Sequence, residues 1–69
     1  MTRKERVAWT RGYFNARWNL RYNKLVSDRV ILHSRLTHHS EDTLDWSEAE
    51  WSAYDRGMRN AIDTQGATA

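Results

Sequence analysis

Apolar residues recur along the first half of this chain at helical spacing. Val7, Phe14, Trp18, Leu25, Leu32 and Leu36 follow one another at intervals of 7, 4, 7, 7 and 4. At about 100° per residue they fall on one stripe with the a/d spacing of a coiled-coil seam. A second stripe, Trp9, Tyr13, Ala16, Leu20 and Ile31, lies nearly opposite. Between the stripes run a basic face (Arg3, Arg6, Arg17, Arg21, Lys24) and an asparagine row (Asn15, Asn19, Asn23). Thr2 followed three residues later by Glu5 is a capping box, so the first helix starts at residue 3.

Two divisions of this segment compete. The unbroken stripe favours one continuous helix over 3–38, roughly 54 Å long at 1.5 Å per residue. The β-branched cluster Val26, Val30 and Ile31, with Ser27 or Asp28 as a new N-cap, favours a break near 26–28 and helices over 3–25 and 28–38. The continuous helix is the expectation taken forward.

The second half carries a sharper signal. Ser47 and Glu50 form another capping box, and Trp46 and Trp51 flank it as a hydrophobic staple. Trp51, Tyr54, Met58, Ala61 and Ile62 then recur on one face, and Gly66 is placed to end the element. The pattern predicts a helix over 48–64, a polar loop over 37–46 and a frayed tail over 65–69. Residues 1–64 make a single small helical domain.

The fold class is therefore all-α, a helical hairpin. A helix of about 17 residues covers only half of one twice its length, and only one of its sides. The stripe left over predicts self-association into a dimeric helical bundle.

Composition supports helices and narrows the chemistry. Proline and cysteine are absent and there are three glycines, so disulfides are excluded and turn-rich architectures disfavoured. A chain of 69 residues must stabilise itself by dense helix packing or association. No run approaches the ~20 apolar residues of a membrane span, and Thr2-Arg3-Lys4-Glu5 is followed by no apolar leader. The expected location is cytoplasmic. Nine arginines against two lysines suit a GC-rich bacterial genome or one of its phages.

Charge is unevenly spread. Residues 1–24 hold seven basic side chains against Glu5 alone, while 25–69 hold eight acids against four arginines. This asymmetry has two explanations: oppositely charged helices that attract within one fold, or a basic face for a partner.

Catalytic and cofactor chemistry find no support. His33, His38 and His39 lack the i, i+4 spacing of metal ligands and suit a helix C-terminus instead. Ser34, His38 and Asp42 lack a nucleophile elbow or oxyanion hole, and the glycines form no phosphate-cradling loop. No enzyme activity, catalytic residue, metal, cofactor or small-molecule substrate is expected.

Binding remains. Trp, Tyr and Arg, the types enriched at binding hot spots, number sixteen here. The expected function is a small regulatory or accessory module that binds another protein through Trp9, Tyr13, Arg17 and Leu20. The alternative is nucleic-acid binding by Arg3, Arg6, Arg17, Arg21 and Lys24, with the asparagine row reading base edges. A membrane surface fits poorly, because a surface-seeking helix carries one apolar face and a wide polar one.

Overall fold

A computed structural model of the chain describes residues 1–24, 29–30 and 45–65. Two helices, α1 (Arg3–Tyr22) and α2 (Glu48–Gln65), pack against each other as an all-α helical hairpin. Both start where the capping residues place them. At α1 the Thr2 amide donates to the Glu5 carboxylate and the Glu5 amide to the Thr2 hydroxyl, each at 3.1 Å. At α2 the expected capping box is replaced by a side-chain pair, the Ser47 hydroxyl donating to the Glu50 carboxylate, and the Trp51 amide closes the first turn on the Ser47 carbonyl at 3.0 Å. The Trp46 and Trp51 rings meet edge to face at 4.9 Å, so the staple is present.

The expected continuous helix over 3–38 is not formed. Helix α1 ends at Tyr22, Asn23 is its C-cap, and Lys24 takes a left-handed conformation with φ 54°. An L-residue there turns the chain off the helical path, the role usually given to glycine. Asn23 also turns its side chain back along the helix, donating to the Asn19 carboxamide oxygen at 2.5 Å. The terminus thus precedes the 26–28 break as well as the end of the long helix. Of the intervening segment, Arg29 and Val30 are helical, and Val30 is fully buried in the same cluster as α1 and α2. The expected helical stretch and loop between residues 31 and 44, including His33, His38 and His39, lie outside the described residues, as do 66–69.

The packing face of α1 is centred beside the second stripe, with which it shares Ala16, and not on the stripe's large residues. It is the ridge Ala8, Gly12, Ala16 and Asn19, all buried, which repeats every three to four residues. Helix α2 answers with Ala53, Gly57 and Ala61, also buried and also spaced by four. Small residues facing each other let two helix backbones touch. A Cβ on Gly12 would lie 2.9 Å from the Tyr54 carbonyl carbon, with the carbonyl oxygen closer still. A glycine costs each helix about 1 kcal/mol in propensity. Direct backbone contact is what offsets that cost here.

Large side chains close the sides of this crossing. Tyr54 and Met58 are fully buried, and Trp9, Tyr13, Leu20, Trp46, Trp51 and Ile62 pack against them in part. The Tyr54 ring meets Trp46 at 5.8 Å and Trp51 at 5.5 Å. Its hydroxyl accepts from the Asn15 carboxamide at 2.7 Å, and Asn19 in turn donates to the Asn15 carbonyl at 3.0 Å. The asparagine row is therefore an internal polar ladder from the core tyrosine to the helix cap.

Candidate interaction surface

With the alanine–glycine ridge turned inward, the opposite face of α1 turns outward. Val7, Phe14, Trp18 and Tyr22 are 45%, 55%, 57% and 60% exposed. Two ring contacts involve this face. Trp18 and Tyr22, one turn apart, bring their rings to 4.2 Å, and the Phe14 ring meets the edge of Tyr13 at 5.3 Å. The outer face of α2, by contrast, shows solvent mainly polar side chains: Glu48, Ser52, Arg56, Arg59 and Asp63. Among the described residues the exposed apolar surface is thus concentrated on α1.

Arginines border it. One shallow hollow is lined by Arg3, Arg6, Val7, Thr10 and Arg11, and a second, two to three turns on, by Phe14, Arg17, Trp18, Arg21 and Tyr22. Among the described residues, Arg3, Arg6, Arg17 and Arg21 make no side-chain hydrogen bond or ion pair. Other cations of α1 are engaged in the fold: Lys4 pairs with Asp45 at 3.4 Å, and the Arg11 guanidinium lies 6.0 Å above the Trp46 ring. The Lys4–Asp45 pair is solvated on both sides and contributes little. Attraction between the basic and acidic halves therefore does little to explain the four outer arginines.

The residues proposed from sequence divide between inside and outside. Trp9, Tyr13 and Leu20 are half-buried against the core, with Trp9 and Tyr13 stacked at 5.4 Å and 8°. Arg17 stands apart from them, beside Trp18 in the second hollow. Arg3, Arg6 and Arg21 are exposed on the outer face, whereas Lys24 lies beyond the helix end in its left-handed turn. The sequence shows Val7, Phe14 and Trp18 as a stripe with the spacing of a helix seam, and that stripe does not include Tyr22. The i, i+4 repeat of Ala8, Gly12 and Ala16 was the available signal, because it identifies the inner face and hence the outer one.

Among the described residues no helix is long and apolar enough to cross a membrane, and no group of three His, Cys, Asp or Glu side chains is placed to hold a metal ion. Comparison with protein-family models, curated proteins and solved structures finds no match.

Proposed function

We propose that this chain is a non-enzymatic protein-binding module, a small regulatory or accessory protein, that docks through the outer face of α1. The observation that carries the reading is the exposure of Val7, Phe14, Trp18 and Tyr22 on one face of one helix. A contiguous apolar patch rimmed by polar groups is the usual mark of an interaction surface on a small protein. Tryptophan, tyrosine and arginine are the side chains that carry most binding energy at such surfaces. Trp9, Tyr13 and Leu20 pack against the core on the other side of α1, and Arg17 lies beside Trp18 in the second hollow.

Nucleic-acid binding by Arg3, Arg6, Arg17 and Arg21 is the second reading, favoured by the absence of described partners for these four guanidinium groups. A third occupant is a second copy of the chain, giving the dimeric bundle that the stripe spacing suggests. Pairing two outer faces would also bring the arginines of both copies to one seam, which opposes it.

One experiment separates the three. Benzoylphenylalanine in place of Phe14, photoactivated in cells that express the chain, captures whatever covers the face. The expected product is a protease-sensitive adduct with a different protein. Nuclease-sensitive adducts, adducts of twice the chain's own mass, or no adduct would each overturn the reading.

A further inference from the structure

On the reading of α1 as a docking face, we infer that the partner presents an acidic amphipathic helix. Its apolar side chains meet Val7, Phe14 and Trp18, and its carboxylates meet the arginines alongside. At about 100° per residue, Val7, Phe14 and Trp18 occupy one narrow arc of α1. Arg3 and Arg21 occupy the next arc, and Arg6 and Arg17 the one beyond. Cations therefore stand on one side of the apolar stripe at both of its ends, with Thr10 between them.

Spacing selects the form of the partner. From Val7 to Trp18 is 11 positions, about 16 Å along the helix axis. The intervals of 7 and 4 are those at which a second helix inserts its own knobs, whereas an extended strand offers alternate residues every two positions. The first hollow sets Val7 among Arg3, Arg6, Thr10 and Arg11, and the second sets Phe14, Trp18 and Tyr22 beside Arg17 and Arg21, so each joins apolar surface to arginines. A partner helix with apolar residues at the matching 7 and 4 spacing, flanked by Asp or Glu, fills both.

Charge selects among occupants. A second copy of the chain would set guanidinium groups against guanidinium groups. A nucleic acid would satisfy the arginines with its phosphates and could stack bases on Phe14 and Trp18, but it offers no apolar pocket to the aliphatic Val7. An acidic helix satisfies both the apolar and the cationic parts of the face.

The test is a display selection against the intact chain. The probe is a library of helix-scaffolded peptides of about 18 residues, roughly five turns. It is counter-selected against the Phe14→Ser/Trp18→Ser variant. Both substitutions lie on exposed positions, and circular dichroism checks that helicity is kept. The expected winners carry apolar residues at 7 and 4 spacing with Asp or Glu beside them. Their affinity should fall roughly tenfold on Arg17→Glu/Arg21→Glu, and more at 50 than at 200 mM salt, as expected for charges at an interface rim. Winners with no acidic bias, or winners that bind the charge-reversed variant equally well, would overturn the acidic partner and leave the docking face standing. A library in which nothing distinguishes the chain from the Phe14→Ser/Trp18→Ser variant would overturn the docking face itself. Salt-sensitive binding of a random-sequence DNA duplex or matching RNA that needs Arg17 and Arg21 would replace the peptide with a nucleic acid.

Discussion

The Asn15 carboxamide of α1 donates to the Tyr54 hydroxyl of α2 at 2.7 Å, although the two residues are 39 positions apart in the chain. Tyr54 is fully buried, so this bond ties the polar ladder of α1 to the centre of the core. Tyr54→Phe should cost about 1 kcal/mol, the net value of a part-buried hydrogen bond. Asn15→Ala should cost a similar amount. Denaturant unfolding of the double variant should show a coupling of about 1 kcal/mol. Strict additivity would mean that the two groups do not act together.

Gly12→Ala and Gly57→Ala test the helix crossing. In an isolated helix either change would be stabilising by about 1 kcal/mol. A Cβ on Gly57 would stand 2.8 Å from the Trp9 carbonyl carbon and 3.0 Å from the Tyr13 nitrogen. These are main-chain atoms that cannot rotate away. Each substitution should therefore destabilise by about 3 kcal/mol, at the upper end of overpacking costs. A rise in melting temperature for either variant would show that the backbones do not touch.

How much of this was legible in the sequence depends on the size of the residues that carry each feature. Capping boxes are local and chemically specific, so Thr2–Glu5 and the Trp46–Trp51 staple were readable, whereas Ser47 and Glu50 pair through their side chains in place of the two amide bonds of a box. The limits of α2 followed from them within one residue. The inner face of α1 was not readable by tracking large apolar side chains, because the helices meet through alanine and glycine. Gly12 is unfavourable in a helix taken alone, yet it is the contact point. The large residues then sorted themselves around that contact: Trp9, Tyr13 and Leu20 beside it, Phe14 and Trp18 away from it. The end of α1 was obscured for a different reason. Lysine is a good helix former, and nothing local announces a left-handed Lys24.

Lys24→Gly distinguishes the terminated helix from a continuous one by sign alone. At a left-handed position glycine relieves the strain of the side chain, and the variant should gain about 0.5–1 kcal/mol. In a helix interior the same change would lose about 1 kcal/mol. Thermal unfolding of the single variant is sufficient.

Glu5 gives α1 a dependence on acid. The Thr2 amide, and then the Thr2 hydroxyl, hold its carboxylate below the usual glutamate range. A depressed folded-state value contributes stability above the ordinary range and loses it as pH falls through the folded value. NMR titration should place Glu5 below ordinary glutamates in the native chain and nearer to them in Thr2→Ala. An unshifted titration in the native chain would remove the capping box from solution.

Trp51→Ala measures the staple. Trp51 is half-buried between Trp46 and Tyr54, so the loss should be about 3 kcal/mol, the low end for removal of a core tryptophan. A negligible loss would show that these rings meet without holding the start of α2 in place.

The alanine–glycine crossing also bears on how the chain responds to temperature. Unfolding bends a stability curve in proportion to the apolar area newly hydrated. Pulling apart methyl groups and bare main chain hydrates little of it, compared with separating leucines and isoleucines. The heat-capacity increment should accordingly fall below the usual 12–15 cal/mol/K per residue, a range typical of globular domains of about this kind. The stability curve would then bend less, with its maximum further below the melting temperature.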